Sequence, residues 1–176
     1  MELKTERLRL RPVREQDLED LFRIYGDPAT NTFNPAGPYP DIDHAKNVLA
    51  RWLQHWSQHE FGCWAITEKD APARVIGFGG ISIRNVGAII VNNLGYRFEI
   101  DAWGKGYATE FASFSIEHGF NNLDLQEISA TVRAHHVASQ NVLKKSGLRF
   151  IREIHDVENA VPSMLFSLTK KEWLKV

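Results

Sequence analysis

Between Arg7 and Arg11 the chain alternates charged and apolar side chains, the period of a half-buried strand, and Pro12 ends the run. Leu18, Leu21, Phe22 and Tyr25 then recur at helical spacing, which predicts an amphipathic helix stopped by Gly26, Asp27 and Pro28. The segment from Asn31 to Pro40 holds Pro35, Gly37, Pro38 and Pro40 and reads as a loop. Asp41 suits the N-cap of a second helix, whose inner face carries Ala45, Val48, Leu49, Trp52, Leu53 and Trp56. From Gly62 the period drops towards two. Gly62 to Thr67 and Val75 to Arg84 read as strands joined by a polar turn around Lys69 to Pro72. Asn85 to Gly87 reads as a reversal and Leu94 to Ile100 as the next strand. Asp101 to Glu110 runs directly into a helix with Ala108, Phe111, Ala112, Ile116 and Phe120 on its inner face. Glu127 to Arg133 alternates again, with Ile128, Ala130 and Val132 on one side. A short helix from Ala138 to Lys145 ends at Gly147, and Leu148 to Glu153 and Ser163 to Leu168 are the final strands.

This order of elements predicts an α/β chain with a mixed, mostly antiparallel sheet and helices on both faces. The helix between the Leu94–Ile100 and Glu127–Arg133 strands is a crossover, so those two strands run parallel or nearly so. Ligands in such sheets collect at the carboxyl ends of the strands, where Gly104 and Gly106 lie.

Glycine at a strand-to-helix turn lets backbone approach a ligand with no Cβ in the way. The free amides of the following helix suit a phosphate or pyrophosphate, and Lys105 adds a charge. A tight turn with glycines for geometry alone is the other reading. A P-loop is excluded, because Gly104-Lys105-Gly106-Tyr107 lacks both the spacing and the hydroxyl. A dinucleotide fingerprint fails too, since no third glycine follows Gly104 and Gly106 at the required spacing.

The 176 residues suit a single domain, 1–176, large enough to bury a core without disulfides or a structural metal. A formal net charge of -1 provides no bulk field to draw the protein onto nucleic acid or an anionic membrane. The charged start from Met1 to Arg7 lacks the apolar stretch of a signal peptide, no apolar run reaches membrane-spanning length, and Cys63 has no cysteine to pair with. Cytoplasm is the expected compartment. His55 and His59 lie one helical turn apart but lack a third ligand, so no metal site is expected. Cys63 reads as a small buried strand residue, Trp52, Trp56 and Trp64 as core, and Gly77, Gly79 and Gly80 as sites of close packing or a bulge.

Trp103-Gly104-Lys105-Gly106-Tyr107-Ala108 resembles the acetyl-CoA pyrophosphate loop of the GNAT N-acetyltransferase superfamily, with Trp103 in its first position. That tryptophan, followed by Thr109-Glu110, resembles the RimJ/RimL-like branch. The likeness extends to the opening strand (Thr5 to Arg11), to Trp64-Ala65-Ile66, Ile76-Gly77-Phe78 and Gly95 to Phe98, to Ala138–Gly147, and to the ending Leu165 to Trp173. It implies the GNAT fold, with the parallel strand pair splayed, acetyl-CoA as cosubstrate, no metal, and a primary amine as acceptor. That amine is a protein or peptide N-terminal α-amine or a small molecule. A non-catalytic acyl-CoA sensor is the rival.

The resemblance also implies roles. Pantetheine would lie between the parallel strands against backbone groups of Phe98 and Ile100, and the amides of Lys105, Gly106, Tyr107, Ala108 and Thr109 would hold the pyrophosphate. A backbone N–H of the Leu94–Phe98 strand would meet the oxyanion. Ser139 would contact the CoA sulfur, its other reading being a cap at the helix start. His136 replaces the family's asparagine and would hydrogen-bond pantetheine or cap the helix. Leu143 stands where many members place a tyrosine acid. Asn93 stands where relatives often carry a carboxylate, which leaves water, a substrate group or Glu99 as base; the other reading of Glu99 is solvated surface at a strand end.

Overall fold

The computed structural model describes residues 1–175. Its strands are β1 (Leu3–Lys4), β2 (Leu8–Pro12), β3 (Cys63–Glu68), β4 (Ala71–Val86), β5 (Ile89–Phe98), β6 (Glu127–Arg133), β7 (Arg149–Ile154) and β8 (Ser163–Thr169). Its helices are α1 (Leu18–Tyr25), α2 (Ile42–His59), α3 (Tyr107–Asn121), α4 (Val137–Lys145) and α5 (Lys170–Trp173). The strands form one mixed sheet in the order β1-β2-β3-β4-β5-β6-β8-β7. β5 and β6 are parallel, with Asn93 opposite Ser129, while β1–β2, β2–β3, β3–β4, β6–β8 and β7–β8 are antiparallel. The alternating mixed sheet expected from the sequence is therefore present.

Two expectations need correction. β5 begins at Ile89, five residues before Leu94, and ends at Phe98; Ile100 lies in a 3-10 turn, Ile100–Ala102. The consecutive Ile89, Ile90 and Val91 break the period of two. Gly87, at φ +60°, makes the reversal tight enough for the strand to start directly after it. β1 and α5 are too short to carry a readable period.

The chain divides into two compact units, one formed by Met1–Gly80 with Tyr96–Tyr107, the other by Ile81–Gly95 with Ala108 onward. In the first, Asp41 caps α2 by accepting the His44 amide at 2.8 Å, and Gly26 caps α1. The two helices bury Leu21, Ile24, Ala45, Val48 and Leu49 with Ala65, Val75 and Phe78 of the strands. Trp64 is buried, and Trp52 and Trp56 pack against this core as expected. The expected close packing at Gly77 is also present: a Cβ there would lie 2.8 Å from the Arg97 carbonyl.

In the second unit β6 pairs with β8 along its whole length. Phe111, Ala112, Ile116 and Phe120 of α3 are buried, as are Ile128, Ala130 and Val132 of β6. A Cβ at Gly119 would meet the Ile128 side chain at 2.8 Å, so this glycine lets α3 approach β6 closely. Gly147, at φ +97°, terminates α4 in the conformation that favours glycine.

Candidate active site

The glycine loop is held by specific contacts. Gly104 and Gly106 have φ of +75° and +79°, left-handed values that a side chain would strain. Among the described residues beyond its chain neighbours, nothing lies within 4 Å of a Cβ built on Gly104, so the space beside it is open. The Trp103 indole donates to the Phe98 carbonyl at 2.9 Å, and its amide donates to the Ile100 carbonyl at 3.0 Å. Both backbone groups expected to face pantetheine thus also anchor the loop, each carbonyl keeping a second lone pair.

Arg7 supports the loop from below. Its guanidinium donates to the Lys105 carbonyl at 2.7 Å and lies over the Tyr107 ring at 4.6 Å, with Lys105 Nζ 5.9 Å from the same ring. The Tyr107 hydroxyl donates to Glu68 at 2.6 Å. Turning the Lys105 carbonyl towards Arg7 fixes its peptide plane and leaves the next amide, that of Gly106, on the opposite side. α3 then starts at Tyr107, with Ala108 and Thr109 half-buried in its first turn. The alternation around Arg7 marks a strand but gives no hint of a contact 98 residues away.

Glu99 is not solvated surface. It is buried, and its carboxylate accepts from Arg74 at 2.9 and 2.6 Å and from Arg23 at 2.5 Å. Burial pushes its pKa up, but the hydrogen bonds from Arg74 and Arg23 and their charges outweigh it, and the net shift is downward. Arg23, Arg74 and Glu99 line a cleft of about 180 Å³ with Asp27 and Asp101. Neither arginine was legible as a partner, being 76 and 25 residues away in sequence.

In the second unit Asn93 is buried, and its Oδ1 has no hydrogen-bond partner among the described residues. His136 is the N-cap residue of α4 without a side-chain cap, and Ser139 is the third residue of that helix, not its cap. Gln140, unremarked from sequence, ties α4 to the end of β6 by donating to the carbonyls of Arg133 at 3.2 Å and Ala134 at 2.8 Å. Leu143 is buried and offers no proton. His55 Nδ1 bonds the Phe61 carbonyl at 2.8 Å, and among the described residues no three or more His, Cys, Asp or Glu side chains cluster as metal ligands. Burial raises the Cys63 thiol pKa, so it is a poor nucleophile.

A family model described as acetyltransferase (GNAT) domain matches residues 7–149. The chain belongs to the GNAT acetyltransferase family. This GNAT chain is 29% identical over 179 residues, covering 97% of both sequences, to an uncharacterized N-acetyltransferase, p20, of Bacillus licheniformis. Its fold matches a GNAT acetyltransferase from Bacillus anthracis with a TM-score of 0.79 at 20% identity, over 98% of this chain and 100% of the other. It also matches Mycobacterium smegmatis RimJ, solved with CoA-disulfide, with a TM-score of 0.73 at 22% identity, over 94% and 83% of the two chains. These GNAT relatives fit the enzyme class, and the glycine loop is the feature of this chain suited to a pyrophosphate. Among the described residues no helix is long and apolar enough to cross a membrane.

Proposed function

We propose that this chain, as a single domain of residues 1–176, transfers the acetyl group of acetyl-CoA to a primary amine of low pKa, such as a peptide α-amine. The carrying observation is the state of Asn93 and of Glu99, the one side chain that is a base candidate. Asn93 is a neutral amide, and Glu99 is ion-paired to two arginines with its proton affinity lowered. Without a strong base the acceptor must already be neutral. An α-amine of pKa about 7.8 is roughly a tenth neutral at pH 7, whereas lysine at about 10.4 is neutral to less than about one part in a thousand.

The amides from Lys105 to Thr109 hold the pyrophosphate, presented by a loop that Arg7 and Trp103 fix. The buried Asn93 Oδ1 accepts a hydrogen bond from the amine N–H, which orients its lone pair. As the C–N bond forms and the C–S bond breaks, water takes the amine proton and the Ser139 hydroxyl donates a hydrogen bond to the departing thiolate. His136, beside Ser139 in the chain, contacts pantetheine.

The test compares kcat/KM, read as amine-dependent release of free thiol, for peptides with free and blocked N-termini, each with and without an internal lysine. Free α-amines should react on the order of a hundredfold faster. Faster reaction of the blocked, lysine-containing peptide overturns the α-amine assignment. CoA binding without release under any amine identifies a sensor.

A further inference from the structure

Several arginines of this molecule hold carboxylates: Arg11 grips Asp17 at 2.9 and 2.7 Å, Arg23 and Arg74 grip Glu99, and Arg133 reaches Asp156 at 3.2 Å. Arg97 on β5 differs. It is half-buried, its Nη1 donates to Asn31 Oδ1 at 2.9 Å, and its guanidinium lies over the Tyr25 ring at 4.3 Å. Among the described residues it has no carboxylate partner. Burial raises the pKa of both nearby phenols, Tyr25 and Tyr39, the latter to about 12, so neither supplies a phenolate.

The placement of Arg97 is over-determined from the protein side. Asn31 is buried, and its Nδ2 donates to the carbonyls of Tyr25 at 2.9 Å and Asp27 at 2.8 Å, which fixes its amide and aims Oδ1 at Arg97. One donor and one face of the guanidinium are committed; the rest of the fork is not. A half-buried guanidinium with a neutral partner attracts an anion, and its planar donors match a carboxylate. We propose that Arg97 binds a carboxylate carried by the acceptor, so that the substrates are peptides with an acidic side chain near the α-amine. This rests on the acetyl-transfer reading above.

The test measures kcat and KM with acetyl-CoA for two acceptors, tripeptide amides beginning with glutamate or glutamine. Wild type should favour a carboxylate form over its carboxamide by on the order of tenfold to a hundredfold. Arg97→Gln should bring the ratio near one, and Arg97→Lys, which keeps charge but not the fork, should leave a partial preference. Equal rates for the two peptides in wild type, or a preference that survives Arg97→Gln, overturns the proposal. Calorimetry of acetyl-CoA judges the acetyl-transfer reading separately. If that binding fails, calorimetry of the same acceptors against wild type and Arg97→Gln decides the carboxylate site: a carboxylate preference lost in the variant supports it, and equal binding overturns it. Circular dichroism confirms that each variant is folded.

Discussion

In the glycine loop Arg7 gives its guanidinium to a main-chain carbonyl, and two glycines hold left-handed backbone that leaves space over the loop. In the Glu99 cluster Arg23 and Arg74 surround one carboxylate and hold it ionised. Both regions use arginine, and both join residues far apart in sequence. The loop acts through shape, so its function should fail when backbone is obstructed and be insensitive to modest changes of pH. The cluster acts through charge balance, so it should respond to pH and should not behave as a catalytic base.

The largest expected effect comes from obstructing the loop. In Gly106→Val a β-branched residue enters at φ +79°, a backbone conformation it rarely adopts, and its methyl groups stand on the loop where a ligand's phosphate would approach. CoA affinity, measured by calorimetry, should fall more than about a hundredfold in a folded variant. Unchanged affinity would remove the loop from the site. A smaller effect isolates the buttress. Arg7→Lys keeps the charge but loses the directed bond to the Lys105 carbonyl, and should raise the KM of acetyl-CoA about tenfold with little change in kcat. A fall in kcat at constant KM would mean that Arg7 does not act through the loop.

The smallest effect on activity belongs to Glu99. If it were the general base, Glu99→Gln would cost about a hundredfold or more in kcat; we expect much less. Stability should drop by about 1–3 kcal/mol, reduced from the cost of a fully buried pair because both arginines are partly exposed. The sign with pH follows from the lowered native pKa. The folded state binds fewer protons than the unfolded, so the contribution is complete above the ordinary glutamate value of about 4.3 and is lost as pH falls through the lowered one. The stability gap between wild type and variant should therefore close in acid, as urea titrations at pH 7 and below pH 4 would show. A gap that persists or widens in acid would mean that Glu99 is not held as an ion pair.

Much of the fold was legible because its signals are local. The charged–apolar alternation at β2, the helical spacing of Leu18, Leu21, Phe22 and Tyr25, Asp41 as a cap and Gly147 as a stop each depend on a few adjacent residues. The glycine loop was legible for the same reason, since a left-handed turn between strand and helix restricts its own residue types. Where a signal was weak or interrupted, as in the Ile89–Val91 run, the strand boundary moved.

By itself the sequence determined the order of elements, the mixed sheet, the family and the loop suited to pyrophosphate, because backbone preference and hydrophobic period act over one or two turns of chain. Only the tertiary structure decided which charges meet. It placed Arg7 against Lys105, enclosed Glu99 between Arg23 and Arg74, and set Arg97 against Asn31 and Tyr25, with no carboxylate partner among the described residues. The physical reason is that a side chain's protonation and partner depend on burial and on distances of a few ångströms, which the fold sets between residues that no local period connects.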